Sequence, residues 1–197
     1  MSLRMKVVRT FSSQHHITTH QYSKTKKLVL GSLLGAIAAI LQAAGLIAGI
    51  GYAFSMLATG PIVLATVLSA RIGFLTYVLT SLLLVIIQPT EVLVFLFTTG
   101  LLGVSLGMSF KFVKNSALVY LIAGAFLAFG IAILLYVFQF PFLGPSITTQ
   151  VNGKVILGLL IFSVLYSALW MKISVLGMKR LNKKMIRNVT LKSGKDL

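Results

Sequence analysis

The chain has 197 residues, of which 57% are hydrophobic and only 10% are charged. Soluble domains are roughly half apolar, so this composition excludes an ordinary soluble fold and predicts a membrane protein. Eighteen Lys and Arg outnumber two acids, Glu91 and Asp196, and give a formal charge of +16. Basic cytoplasmic loops explain this excess without a nucleic-acid partner, and we predict none. The chain has no cysteine, which excludes disulfides and thiolate metal sites.

The N-terminal tail, residues 1–27, is basic and polar and contains no acid. We predict a cytoplasmic tail in front of the first membrane span. The same composition is typical of a mitochondrial targeting peptide, so the plasma membrane is the predicted location and the mitochondrial inner membrane is the alternative. His16 and His20 have the spacing of metal ligands on one helix face, but no acid or cysteine accompanies them, and we predict no metal site.

Six apolar segments approach the roughly 20 residues that a helix needs to cross a bilayer. They cover residues 28–48, 52–70, 73–87, 92–110, 117–138 and 155–176, with turns expected at 49–51 and 88–90. The sequence therefore predicts an all-α integral membrane bundle of six transmembrane helices. The transmembrane domain covers residues 28–178, and a basic cytoplasmic tail follows at 179–197.

The basic residues predict the orientation of this bundle. They occur in the N-terminal tail, in the second and fourth gaps between segments, and after the sixth segment; Lys172 can snorkel to the same side. If all six segments cross the membrane, these residues lie on one side, and Glu91 and Lys154 are the charges left on the other. We expect both the N- and C-termini to be cytoplasmic. These basic residues are Arg4, Lys6, Arg9, Lys24, Lys26, Lys27, Arg71, Lys111, Lys114, Lys179, Arg180, Lys183, Lys184, Arg187, Lys192 and Lys195.

The first segment carries a small residue at every fourth position: Gly31, Gly35, Ala39 and Ala43. Such a stripe allows another helix to approach closely. The stripe predicts either packing within the bundle or docking to the helix of a separate membrane subunit. Larger side chains such as Leu33, Ile37 and Ile40 are expected to contact lipid or neighbouring helices.

The second segment contains Gly60-Pro61. A proline here leaves the carbonyl of Leu57 without its usual helical donor, so we expect a kink or a break. Broken helices at membrane depth are tolerated where they are buried in protein or line a cavity. The break therefore either shapes a ligand pocket or bends a structural helix.

Polar residues inside the spans collect towards the predicted outer side. Leaving them in lipid without a partner would cost several kcal/mol, so they are the candidate binding residues. Glu91 is predicted to contact a ligand or to pair with Lys154; alternatively it is a solvated carboxylate at a helix N-terminus. The candidate substrate-binding residues are Glu91, Gln42, Tyr52, Gln88, Gln139 and Asn152.

Catalytic motifs are absent from the sequence. It contains no phosphate-binding glycine-rich loop, no paired carboxylates and no Ser, His and Asp set within the bundle. We predict no enzymatic activity, no catalytic residues and no cofactor.

The chain resembles the substrate-binding S components of energy-coupling factor transporters. The resemblance covers roughly residues 26–180 and rests on six spans, cytoplasmic termini, and the stripe Gly31, Gly35, Ala39 and Ala43, which is similar to that family's Ala-x-x-x-Ala signature. It implies that the stripe docks to a transmembrane coupling subunit. It also implies capture of a small-molecule ligand, a vitamin or a precursor, on the outer side, with uptake driven by ATPase subunits.

Two other functions remain open. One is a non-transporting membrane scaffold or assembly factor for a partner complex. The other is an oligomeric channel or exporter, which would require a polar stripe through the full depth of the membrane. In every case the lipid bilayer is the expected surrounding of the helices.

Overall fold

The computed structural model describes residues 23–46, 50–139 and 153–193, and within these ranges all regular structure is helical. The helices are α1 Lys24–Ala43, α2 Ile50–Leu57, α3 Thr59–Leu68, α4 Ala70–Ile87, α5 Pro89–Phe97, α6 Thr99–Phe112, α7 Ser116–Ala132 and α8 Gly153–Ser193. A 3-10 turn, Ala44–Leu46, follows α1, and a π-helical turn, Ile133–Val137, follows α7. The predicted all-α class is confirmed for this part of the chain.

Five helical stretches in the described residues are long and apolar enough to cross a membrane. They are Lys24–Ala43, Ala70–Ile87, Pro89–Phe112, Ser116–Val137 and Val155–Gly177, and each matches one predicted segment. The other predicted segment, 52–70, contains the shorter apolar stretch Ala53–Leu68, which is interrupted at Ala58. The chain is therefore a multi-pass helical membrane protein.

Several predicted boundaries were wrong. Ile50 and Gly51, expected in a turn, belong to α2. In the second connection only Gln88 leaves the helix, because Pro89 takes the first position of α5, where its missing N–H costs nothing. The fourth segment, predicted as one helix, is broken at Thr98. The cytoplasmic tail at 179–197 stays a prediction, and its residues up to Ser193 continue α8 as helix.

The bundle is apolar outside and partly polar inside. On α1, Leu33, Ile37 and Ile40 are exposed, as expected for side chains that contact lipid, and on α4 the exposed fraction of Ile86 reaches 81%. The buried side chains include many hydroxyls: Thr59, Thr66, Thr76, Thr80, Thr98, Thr99, Ser105, Ser109, Ser163, Ser167 and Ser174. This distribution is favourable when hydrocarbon surrounds the protein, because polar groups then find partners only inside it.

Helices α1 and α4 lie parallel and in close contact. Thr76 Oγ1 donates a hydrogen bond to Gly31 O (3.1 Å), and Thr80 Oγ1 donates one to Gly35 O (3.2 Å). A Cβ on Gly31 would lie only 2.6 Å from Ile72 Cγ2, so glycine is what allows this approach. Because residue numbers rise together along both helices, the chain between them must return along the bundle through α2 and α3.

Helices α3 and α6 form a second parallel pair. A Cβ on Gly103 would lie 2.7 Å from Ile62 Cβ, and a Cβ on Gly107 would overlap Thr66. Helices α7 and α8 are antiparallel, since Ser167 Oγ donates to Tyr120 O (2.6 Å) while Gly124, one turn further along α7, faces Val164 of α8. The larger apolar core lies among α3, α6, α7 and α8 and contains Val63, Val67, Leu102, Leu106, Phe110, Val119, Ala123, Leu127, Ile131, Leu135 and Trp170.

Candidate functional site

A hydrogen-bonded network joins α1, α5 and α6 at one end of the bundle. Gln42 Nε2 donates to Glu91 Oε2 (2.8 Å), and Thr99 Oγ1 donates to Gln42 Oε1 (2.8 Å). Gln42 is completely buried, and Glu91 is half-buried. Both ends of the Gln42 amide are therefore occupied, and the amide holds one oxygen of the Glu91 carboxylate in a fixed position.

The helix ends explain how these residues meet. Gln42 lies in the last turn of α1, and Glu91 lies in the first turn of α5, one turn after the connection at Gln88. A carboxylate in the first turn is favoured by the partial positive charge of the helix N-terminus. Since α1 and α4 are parallel and α5 follows α4 after a single residue, the end of α1 and the start of α5 come together.

The break between α5 and α6 is held by contacts from other helices. At Thr98 the backbone takes φ −122° and ψ −90°, outside the helical region. Tyr77 Oη donates to Leu96 O (2.8 Å), and Gly130 of α7 lies so close to Phe97 O that a Cβ there would overlap it. Carbonyls freed by a break need such partners or cover when no water is near.

A second break, at Ala58, lies beside the first. Thr59, the first residue of α3, donates from Oγ1 to the carbonyl of Thr99, the first residue of α6 (3.2 Å). The prediction of a break near Gly60-Pro61 is confirmed, and its position is one residue before Thr59. Two half-helices thus begin next to each other, with Gln42 bonded to one of them.

Next to Thr59, the hydroxyl of Tyr166 on α8 is buried and makes no hydrogen bond to a described group. The side chains of Thr59 and Trp170 lie near this hydroxyl, but neither makes a hydrogen bond to it. The ring of Trp170 contacts Gly60, where a Cβ would lie 3.4 Å from it. The polar groups therefore extend from Glu91 at the end of the bundle to Tyr166 beside the second break.

The other oxygen of Glu91 faces Gly45, in the turn after α1. A Cβ on Gly45 would lie 3.2 Å from Glu91 Oε1 and 3.4 Å from Ser55 Cβ, so these two side chains border the same position. Ser55 is only 7% exposed, and its hydroxyl makes no hydrogen bond within the described residues. Neither does Oε1 of Glu91. We call Gly45, Ser55 and Glu91 the Gly45 site.

The structure places the predicted binding residues in different surroundings. The structure brings Gln42 and Glu91 together. Gln88 donates to the neighbouring Thr90 Oγ1 (2.8 Å) and is not joined to the network, and Gln139 is exposed with a positive φ of 49°. Asn152 and the side chains of Tyr52 and Lys154 lie outside the described residues, as do the histidines of the N-terminal tail.

The small-residue stripe is used within the chain. Gly31, Gly35 and Ala39 are buried, the two glycines pack against α4, and Ala43 is partly buried beside the core. This arrangement matches the internal-packing interpretation. Docking of the same residues to a partner helix stays a prediction, because no contact among the described residues tests it.

Sequence reasoning did not identify Thr99, Thr59 or Gly45 as parts of the site. The pair Thr98-Thr99 in front of Gly100, inside an apolar segment, was the available signal for the first of them. Gly45 carried no such signal, because its role depends on a carboxylate 46 positions later in the chain.

Comparisons with protein-family models, with curated proteins and with solved structures found no match to this chain.

Proposed function

We propose that this protein captures a small molecule from the outer side of the plasma membrane and delivers it for uptake. The observation that carries the proposal is the meeting of two broken helices beside a buried Gln42–Glu91 network. In membrane transporters, discontinuous helices and irregular backbone are found where a ligand site or a cavity lies. An ionisable side chain inside a membrane domain is a functional candidate for the same reason.

The proposal includes six membrane crossings with cytoplasmic termini. The sidedness of Lys and Arg supports it. The parallel arrangement of α1 and α4 supports it independently, because the intervening Ala53–Leu68 must run back across the bundle. With this topology, Glu91 and the Gly45 site face the outside.

The energy source in this proposal is a separate set of ATPase subunits joined through a transmembrane coupling subunit. The resemblance to the S components of energy-coupling factor transporters supports this assignment. In this proposal the chain acts as the capturing subunit, with the Gly45 site as its candidate binding site.

Mass spectrometry of the protein purified in mild detergent tests the proposal. We expect a small molecule bound to the wild-type protein and ATPase subunits in the same preparation. Glu91→Gln preserves the size of the side chain and an acceptor for Gln42 and should lower the occupancy of the bound molecule. The matched control, Lys114→Gln at the opposite end of the bundle, should leave it unchanged.

The scaffold alternative gives a different result in the same experiment. A stoichiometric protein complex without ATPase subunits, together with an empty wild-type protein, would contradict small-molecule capture. Equal occupancy in the wild-type protein and in Glu91→Gln would remove Glu91 from the binding site while leaving capture itself in place.

A further inference from the structure

The charge of Glu91 is not balanced within the described part of the chain. It is the only acidic residue there, and it makes no ion pair with a described side chain. Gln42 donates one neutral hydrogen bond to it, which orients the carboxylate but leaves its charge in place. A half-buried carboxylate of this kind is stabilised most by a cationic group that donates a hydrogen bond.

The free hydrogen-bonding capacity of the site is concentrated at one position. Glu91 Oε1 and the Ser55 Cβ both border Gly45, and neither Oε1 nor the Ser55 hydroxyl has a hydrogen-bond partner among the described residues. Ser55 is more than nine-tenths buried. Buried polar side chains are nearly always hydrogen-bonded, so an unpartnered serine beside an unpartnered carboxylate oxygen indicates a place where a ligand supplies the partners.

The chemistry of the two groups selects the kind of cation. Divalent metal ions take six or more oxygen ligands or a tetrahedral set of His and Cys. The described residues contain no group of three His, Cys, Asp or Glu that could hold a metal. One carboxylate oxygen and one hydroxyl are instead suited to the N–H donors of an ammonium or guanidinium group.

We propose that the Gly45 site binds the positively charged nitrogen group of a small organic cation, through Glu91 Oε1 and the Ser55 hydroxyl. This inference rests on the proposed capture of a small molecule and names the class of that molecule. Gln42 is a positioning residue, since it holds Oε2 and so directs Oε1 towards Gly45. The absence of a side chain at Gly45 leaves room for the cation to approach the carboxylate.

Matched pairs of cationic and neutral probes test the proposal. The purified protein is titrated with n-butylammonium and with 1-butanol, which has a similar shape without the charge, and with benzylammonium and benzyl alcohol; both cations carry N–H donors. Thermal unfolding and calorimetry report binding. We expect the cations to bind and to raise Tm at millimolar concentration, and the neutral compounds to do neither. Equal binding of both members of a pair, or no effect of either cation, would overturn the proposal.

Substitutions locate the site. Glu91→Gln should weaken cation binding about 30-fold or more, as expected for the loss of a desolvated charge pair. Ser55→Ala should weaken it several-fold, and Gly45→Ala should also reduce it, because the added Cβ crowds Oε1. The control Lys114→Gln should have no effect. Retention of full cation affinity in Glu91→Gln would contradict the assignment; if Glu91→Gln does not fold, full affinity in both Ser55→Ala and Gly45→Ala would contradict it.

Lys154, whose side chain lies outside the described residues, is the rival partner of Glu91. If Lys154 already neutralises the carboxylate, cations will bind only to Lys154→Gln and not to the wild-type protein, and the proposal is wrong. The identity of the co-purified molecule separates this inference from the proposed function. A bound neutral or anionic molecule would overturn the inference alone, whereas an empty protein would contradict both.

Discussion

Single residues decide the polar network, and Gln42 is at its centre. Its amide connects a carboxylate 49 positions away with a hydroxyl 57 positions away, and all three side chains come from different helices. Removing one partner from such a network leaves the others buried and unsatisfied, which costs more than the hydrogen bond itself contributes. The geometry of the Glu91 carboxylate therefore depends on the buried amide of Gln42.

We expect Gln42→Met to destabilise the protein by about 2–4 kcal/mol, because Thr99 loses its acceptor and Glu91 loses its donor. Methionine fills a similar volume, so little of this effect comes from a cavity. The control is Gln88→Met, which removes only a local hydrogen bond to Thr90. Reversible unfolding in mixed micelles measures both. Equal stability of the two variants would show that the network contributes nothing to folding.

Candidate residues were easier to find than their partners. Glu91 and Gln42 are conspicuous in an apolar sequence, since each costs free energy in lipid unless it is partnered. Their pairing was not predictable, because it depends on the parallel arrangement of α1 and α4. Gly45 looks like an ordinary residue of a membrane helix, and only its position against Glu91 Oε1 and Ser55 Cβ distinguishes it.

At the scale of the helices, the two breaks have different origins. Gly60-Pro61 predicts the break at Ala58 locally, because proline removes a backbone donor. No such residue marks Thr98. That break depends on Tyr77, which caps Leu96 O, and on Gly130, which allows α7 to cover Phe97 O. Tertiary contacts of this kind do not show in the hydropathy of the segment.

Tyr77→Phe tests the support of the break at Thr98. We expect a loss of about 1–3 kcal/mol, because the part-buried carbonyl of Leu96 loses the Tyr77 hydroxyl as its donor while the ring and its stacking on Phe95 remain. Tyr120→Phe is the control, since the Tyr120 hydroxyl makes no hydrogen bond to a described group. Thermal unfolding of both variants measures the difference. An equal change in Tm would show that the Tyr77 hydroxyl does not hold the break.

The close contact between α1 and α4 depends on the glycines of α1. Gly31→Leu should destabilise the protein by about 1–3 kcal/mol or more, since its side chain would overlap Ile72. The control is Gly158→Leu on α8, where a Cβ meets nothing within 4 Å. A Gly31→Leu protein that unfolds like the wild type but loses a membrane partner would favour the docking interpretation of the stripe.

At the scale of the whole molecule, hydropathy predicted most of the helices of the described residues. Five of the six segments are long apolar helices, and the other is the broken α2–α3 stretch. The third segment was the shortest one predicted, yet α4 has 18 residues because it begins at Ala70 rather than at Gly73. Hydropathy located the spans well because lipid contact is averaged over many residues, whereas helix ends depend on single turns.

The central claim is that the scarce polar groups meet at the outer end of a six-span bundle. Since the chain has no cysteine, single cysteines labelled with a membrane-impermeant maleimide in intact cells test it directly. We expect labelling of Gln88→Cys, next to Glu91, from outside. Ser23→Cys, Ser69→Cys and Asn115→Cys should react only after permeabilisation. Labelling of Ser69→Cys from outside would mean that Ala53–Leu68 does not cross the membrane, and protection of Gln88→Cys would place the Gly45 site on the cytoplasmic side and contradict the account.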